Sequence, residues 1–349
     1  MKAHAPSGSV VSVILAVCIA ASGLTASVPA YGEPTHPGVD GALVSVQLSG
    51  ADGHPRTRAT RRGDFAKRVS IPGGRRLFLE CRGTGSPTVV LEAGTGDLAR
   101  IWSLPPSGPG PAVFPAVARF TRVCAYDRPG TYLLPGWFSR SDPVAMPRSA
   151  RDVVADLRKL LRAAHERGPY VLVGHSFGGM VARLDATLRP RRIAGLLSID
   201  AQNEDFVEAY KEFLTPEQYL AAVLNPSPPP GLKNYQALER LSLETSAAEV
   251  SQAQSDTPLR RMPVVVISHS RDLPNHFGFP PEWPISELER AFQDSQDMLT
   301  GLVPGTRHLI AAKSGHYIQL DQPRLVTRAI RSLVRTERRE SGRTQADSR

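Results

Sequence analysis

Between Lys67 and Val334 the chain alternates short apolar runs with longer stretches in which apolar residues recur at helical spacing. The runs Thr88–Leu91, Val123–Tyr126, Tyr170–Val173, Ile193–Ile199, Val264–Ser268 and His308–Ala311 are too short for helices and too uniformly apolar for half-exposed strands. They predict strands buried on both faces. Arg68–Ile71 and Arg75–Cys81 flank Pro72-Gly73-Gly74, which reads as a hairpin. Between them lie predicted helices over Val113–Phe120, Ser149–Ala164, Phe177–Leu188, Ile285–Leu299 and Leu325–Val334. In Ser149–Ala164 one face gathers Val153, Val154, Leu157, Leu160, Leu161 and Ala164. Such alternation builds an α/β fold with a mostly parallel sheet covered by helices on both sides.

The segment from Ala201 to Leu259 breaks this rhythm. It is helical and polar, with a Pro-rich interruption at Asn225–Gly231, and reads as a helical cap inserted between two strands, about residues 201–259. The folded core domain is expected over 67–336. Residues 31–66 are rich in Gly, Pro, Thr and Arg and read as a flexible leader. Residues 337–349 are charged and read as a disordered tail. No internal repeat is present.

The N-terminus adds a destination. Lys2 is the only charged residue before Glu33, Val10–Ala26 is apolar or small, and Val28-Pro29-Ala30 offers small residues at a cleavage position. This is the pattern of a secretory signal peptide over 1–30, so a secreted protein is expected. Two alternatives remain: an uncleaved anchor at the outer face of the membrane, and lipidation at Cys18. The apolar run is short against the roughly 20 residues a span needs, and Val17 before Cys18 is a poor fit to a lipidation signal. No stable span is expected once the signal is gone.

The 349 residues carry 41% hydrophobic and 21% charged side chains, which suits a globular protein. Loss of the signal removes only Lys2 and takes the net charge from +9 to +8. The arginines are spread widely, with a dense run only at Arg331, Arg335, Arg338 and Arg339. Aromatic residues do not interleave with them as single-stranded nucleic acid requires, so nucleic acid is not an expected partner. Cys81 and Cys124 remain after export and are free to pair, but spacing alone does not show that they do. No cluster has metal-ligand spacing, and the oligomeric state is left open.

The chemistry centres on Gly174-His175-Ser176-Phe177-Gly178, followed by Gly179. This fits G-x-S-x-G, with a buried strand before it and a helix after it. That context is a nucleophile elbow, which lifts Ser176 above the sheet edge. A serine hydroxyl needs a base to take its proton. His316, in Ser314-Gly315-His316 after the last strand, is the candidate among nine histidines. The base needs an acid to fix its tautomer. Asp272 follows Val264–Ser268 and gives the chain order Ser, Asp, His that this architecture uses; Asp200, at the end of the preceding strand, is the alternative acid. Oxyanion donors are expected from the N–H of Phe177 and from Thr95 in Gly94-Thr95-Gly96. His175, next to the nucleophile, reads as packing.

The run Tyr126-Asp127-Arg128-Pro129-Gly130, the helix RSARDVVADLRKLL, the elbow PYVLVGHSFGGMVARL and the segment SGHYIQLDQP together resemble the α/β-hydrolase family. More narrowly they resemble its bacterial lipase, esterase and peroxidase-like branch, over about residues 67–335. The resemblance implies an eight-stranded sheet, a Ser-Asp-His triad and no cofactor. Two departures stand out. Ala93-Gly94 occupies the place of a His-Gly pair at the oxyanion loop, and Thr131–Phe138 forms an apolar loop where relatives turn quickly. That loop either lines a pocket or packs on the cap. Relatives that open epoxides or remove halides carry Asp as nucleophile, so Ser176 points away from those reactions. The reading is a secreted serine hydrolase acting on a small-molecule or lipid-like carboxylic ester. Amide, peptide, lactone and thioester bonds, acyl transfer or perhydrolysis, and a non-catalytic binding protein are the alternatives.

Overall fold

A computed structural model describes residues 63–134, 137–224, 232, 237–270 and 279–347. The predicted signal peptide, most of the leader and Asp272 lie outside the described residues. The strands are β1 (Phe65–Ser70), β2 (Arg76–Arg82), β3 (Thr88–Glu92), β4 (Val123–Tyr126), β5 (Tyr132–Leu134), β6 (Trp137–Phe138), β7 (Tyr170–His175), β8 (Ile193–Ile199), β9 (Val264–His269) and β10 (Arg307–Ala311). The helices are α1 (Val113–Val117), α2 (Ala150–Ala163), α3 (Phe177–Leu188), α4 (Glu204–Phe213), α5 (Pro216–Tyr219), α6 (Leu243–Asp256), α7 (Ile285–Thr300), α8 (Ile318–Asp321) and α9 (Pro323–Asp347).

Eight strands form one sheet in the order β1-β2-β4-β3-β7-β8-β9-β10. The β1–β2 and β2–β4 pairs are antiparallel, and every later neighbour is parallel. Alternate strand residues feed two cores, as the two-residue period of a strand requires. Leu172, Leu196 and Val264 face α2, α3 and α6 through Leu157, Val181, Leu184 and Val250. Val171, Val173, Leu197 and Val265 face α1 and α9 through Phe114, Val326, Ile330 and Leu333. Burial on both sides is why these strands read as unbroken apolar runs.

The helix ends follow local chemistry. Ser149 caps α2 by accepting from the Asp152 N–H, while the Asp152 side chain accepts from the Ser149 N–H. α4, α5 and α6 lie between β8 and β9, the stretch predicted as a cap. Their aromatic contacts include α7: Phe206 packs on Tyr210 and Phe292 with ring centroids 4.6 and 4.8 Å apart. The cap is therefore built partly from a helix that follows β9.

The ends of the domain differ from expectation. β1 opens at Phe65, two residues inside the predicted leader, because Asp64 accepts from the Gly83 N–H and Arg122 binds the Gly63 carbonyl. The predicted disordered tail is instead the continuation of α9 as far as Asp347. Arg338 anchors it by donating to the carbonyls of Ser86 and Phe120. Among the described residues no helix is long and apolar enough to cross a membrane.

Cys81 and Cys124 sit opposite each other on β2 and β4 and form a disulfide. Their sulfurs and a Glu166 carboxylate oxygen lie close enough together to suggest a cation site, but the bonded sulfurs offer no thiolate to a metal. The bridge closes a 43-residue separation, so the double variant Cys81→Ala/Cys124→Ala is expected to lose about 4 kcal/mol of stability through the freed chain entropy. Urea unfolding followed by tryptophan fluorescence measures this; an unchanged midpoint under oxidising conditions would contradict it.

Candidate active site

β7 ends at His175 and α3 begins at Phe177, so one residue makes the whole turn. That residue, Ser176, has φ 53° and ψ −126°, a strained conformation for a side chain other than glycine. The glycines around it are imposed by contact. A Cβ on Gly174 would lie 2.2 Å from the Gly178 carbonyl oxygen, one on Gly178 2.5 Å from that of Glu92, and one on Gly179 2.2 Å from the Ala201 Cβ. The turn is held by the Ser176 N–H, which donates to the Ile199 carbonyl at 3.1 Å, and by the Gly179 and Gln202 N–H groups, which donate to the Ser176 carbonyl.

His316 is carried by the loop between β10 and α8. Asp321 shapes that loop, accepting from the Ser314 hydroxyl and the Gly315 N–H at 3.1 and 3.2 Å. This explains why SGH and LDQP occur together in the sequence. On its inner side the loop is tied to the elbow. The His175 Nε2–H donates to the His316 carbonyl at 2.9 Å, and the two rings are 4.6 Å apart. Because a carbonyl only accepts, His175 carries its proton on Nε2 and leaves Nδ1 as an acceptor. Burial, then the neighbouring His316, pushes His175 down to about 3, so it stays neutral.

The Nδ1 of His316 lies 2.7 Å from Oδ2 of Asp200, the residue that follows β8. Asp200 is fully buried and has φ 45°, so it too is strained. Its Oδ1 accepts from the backbone N–H and the Nδ1 of His269, both at 2.9 Å. Burial works against its charge, but the hydrogen bonds from His269 and His316 outweigh it and hold the carboxyl far below the usual carboxylate range. His269 is correspondingly raised to about 9: burial opposes its charge, and Asp200 and Glu289 overcome that. Its Nε2 lies 2.7 Å from the Gln293 amide and 3.4 Å from Glu289. The structure sets the amide nitrogen of Gln293 there, whereas a protonated ring, which has only donors, calls for the amide oxygen in that place.

The loop after β3 faces the elbow. The Gly96 N–H donates to Oε2 of Glu239 at 2.7 Å, which takes that amide out of use. The Thr95 N–H has no acceptor among the described residues, and Thr95 is exposed. The Phe177 N–H opens α3, where no intrahelical acceptor exists. Arg128, just after β4, fixes the loop from beneath. It donates to the Ala93 and Gly94 carbonyls at 2.8 and 2.5 Å and pairs with Glu92 and Glu239. Burial raises Glu92 to about 7 against the pull of Arg128. The apolar loop predicted to line a pocket or pack on the cap folds as the β5–β6 hairpin. Tyr132 donates its N–H to the Gly96 carbonyl at 2.7 Å, and Leu133 and Trp137 join the core beside α1 and α9. Just before the hairpin, the Glu239 N–H of the cap stretch donates to the Gly130 carbonyl.

The structure thus brings Ser176, Phe177 and Thr95 to one edge of the sheet with His316 and Asp200. Asp272 lies outside the described residues. Sequence reasoning passed over Asp97, Arg128, Glu239 and His269 as site residues. Three had a readable signal: Asp97 and Arg128 follow strand ends at the functional edge, and His269 ends β9. Glu239 had none, since it arrives from the cap.

Residues 89–329 match the model of the alpha/beta hydrolase family. Polyketide synthase ThaQ of Burkholderia thailandensis is 27% identical over 287 residues, which is 73% of this chain and 12% of that protein. The chain spans 12–29% of the length of three such longer curated relatives. Uncharacterized protein YqjL of Bacillus subtilis is 25% identical over 254 residues, covering 71% of this chain and 84% of that one. Among solved structures, the haloalkane dehalogenase DbeA-M1 loop variant from Bradyrhizobium elkanii superposes with a TM-score of 0.54 at 15% identity, over 80% of this chain and 99% of that one. Cfl2 from Burkholderia cenocepacia gives 0.52 at 20% identity, over 77% and 95%. At such identities the structures speak for the fold alone. With 241 residues under the family model, an eight-stranded sheet and an elbow after β7, the chain belongs to the alpha/beta hydrolase family.

Proposed function

We propose that the protein is an exported serine hydrolase that cleaves a carboxylic ester through an acyl-enzyme on Ser176. The observation that carries this is a serine strained onto the turn between β7 and α3, at the same sheet edge as a histidine whose Nδ1 is held at 2.7 Å by a buried, ionised carboxylate. With Nδ1–H turned to Asp200, the lone pair of His316 is on Nε2, the nitrogen that receives the Ser176 proton. The Ser176 oxygen then bonds to the ester carbon, and the carbonyl oxygen gains the negative charge. The Phe177 and Thr95 N–H groups are aimed at that oxyanion. Collapse breaks the bond to the alcohol, which takes its proton from Nε2. Water, deprotonated by the same nitrogen, attacks the acyl group, and Ser176 is regenerated.

Ester chemistry is favoured because a serine alkoxide forms acyl and not alkyl intermediates, and because no described residue marks a receptor for a peptide amino terminus. The putative carbamate hydrolase RutD of Stutzerimonas stutzeri, 31% identical over 118 residues and covering 33% of this chain and 38% of that one, makes carbamates a second acyl class to assay.

Hydrolysis of p-nitrophenyl esters from acetate to palmitate tests the reading. The mature protein is expected to turn them over with a distinct optimum of chain length, while Ser176→Ala falls to the uncatalysed rate. Activity surviving in Ser176→Ala would end the proposal. The acid is assigned to Asp200, so Asp200→Asn is expected to lower kcat by about four orders of magnitude at neutral pH. Asp272→Asn should cost far less; the reverse ranking would give the role to Asp272. For export, N-terminal sequencing of protein recovered from the medium is expected to start at Tyr31, after the small residues Val28-Pro29-Ala30. A mature chain retained with Met1 would point to an anchor.

A further inference from the structure

Two buried acceptors face each other behind the nucleophile. Oδ2 of Asp97 and Nδ1 of His175 are 3.9 Å apart, and neither atom meets a hydrogen-bond donor, although the Tyr317 hydroxyl bears on the same carboxyl. The glycine at 94 lets them approach: a Cβ there would lie 2.9 Å from Nδ1, 3.0 Å from Oδ2 and 3.2 Å from the Ser176 Cβ. His175 cannot supply the missing proton, because its one N–H is committed to the His316 carbonyl. Two unsolvated acceptors in this position repel, and a single proton on the carboxyl relieves both.

We propose that Asp97 is a positioning residue that carries a proton on Oδ2, facing Nδ1 of His175 across 3.9 Å, and that loss of this proton impairs the site. The resulting chain runs from the oxyanion loop through Asp97 and His175 to the backbone of His316. It couples the loop that stabilises the oxyanion to the loop that carries the base. The inference rests on Ser176 and His316 acting as proposed above.

The surroundings favour the protonated form. Burial dominates and raises Asp97 to about 7, partly offset by Arg128, while Glu239 raises it further and a hydrogen bond from Tyr317 lowers it. The other groups at this place are Glu92, which shares Arg128, neutral His175, His316 behind it, and Tyr132, whose ring lies over Gly96. Once ionised, Asp97 would put a negative charge within about 6 Å of the Ser176 side chain, given their distances to the same point beside Gly94. A charge so near a developing oxyanion slows its formation by about ten- to a hundredfold.

The experiment is the pH profile of kcat/KM on the best ester from pH 5 to 9.5, for wild type and Asp97→Asn. The Asn amide is neutral and keeps its N–H groups at every pH in the range. Wild type is expected to decline above pH 7. Asp97→Asn should match it at pH 6 and stay level into the alkaline range. A decline that persists unchanged in Asp97→Asn, as titration of Glu92 would produce, overturns the proposal; so does a wild type with no decline. Stability gives a readout without catalysis. A carboxyl whose folded pKa is raised from 3.8 to about 7 costs the fold stability as pH rises between those values. The Tm of Asp97→Asn should therefore gain on wild type from pH 4 to 8, and a constant difference would count against the idea. Should Asp97→Asn not fold, His175→Phe removes the acceptor and is expected to move the wild-type decline to lower pH; a decline left in place overturns the proposal. Hydrolysis persisting in Ser176→Ala would instead remove the reading of the site itself, and leaves the stability arm standing.

Discussion

The close contact between β7, α3 and the loop after β8 leaves the backbone one way to turn at residue 176. Gly174, Gly178 and Gly179 have no room for a Cβ, and the Ser176 N–H is pinned to the Ile199 carbonyl. These constraints force a positive φ on the one residue of the turn that has a side chain. The strain is of order 1–3 kcal/mol and is held by the packing on both sides. Everything else at the site is arranged around the position this gives to one hydroxyl. The free N–H of Phe177 follows from α3 starting at once, and the His316 loop is located by a hydrogen bond from the residue just before the serine.

A parallel sheet then does the gathering. β3, β7, β8, β9 and β10 run in the same direction, so the residues after them collect at one edge although they are far apart in sequence. Asp97, Ser176, Asp200, His269 and His316 all arrive this way. Asp200 shows why the edge suits charge chemistry. It is fully buried, yet three donors from two histidines meet it, so the cost of desolvation is offset locally. With His269 protonated, the buried carboxylate is held between two rings, and the ring of His316 is left one orientation.

The central strands of this fold were legible because both their faces are buried, and their bounds in sequence and structure agree to within a few residues; the edge strand β10, also expected to be buried on both faces, is largely exposed because among the described residues nothing pairs beyond it in the sheet. Ser176 and His316 were legible because glycine patterns and strand ends mark them locally. What was not legible depends on contacts across the fold. The β1 start at Phe65 is set by Arg122 and Asp64, and the length of α9 by Arg338 reaching Ser86 and Phe120. Charge composition alone could not report those anchors. The choice of acid was open for the same reason. Asp200 and Asp272 both follow strands next to one another; the Asp200 backbone, with its positive φ, turns its carboxylate toward His316, and Asp272 lies outside the described residues. The apolar hairpin β5–β6 reads in the sequence as either lining a pocket or packing on the cap; Leu133 and Trp137 instead join the core.

Arg128 raises a question of design that stability alone does not answer. A guanidinium buried with two carboxylates rarely strengthens a fold relative to apolar side chains of the same volume. What the ion pairs do here is geometric. Arg128 takes the carbonyls of Ala93 and Gly94, and its partner Glu239 takes the N–H of Gly96. Each fixes a backbone group on either side of Thr95, so the peptide between them is held from both ends and its N–H stays unclaimed. An apolar residue could fill the space but could not choose which amide is left free. Because Glu239 comes from the cap stretch, the same contact also ties the loop after β3 to that stretch. The polar network beneath Thr95 therefore links the shape of the cap to the chemistry of the edge, and this is a task that hydrogen bonds perform and hydrophobic packing cannot.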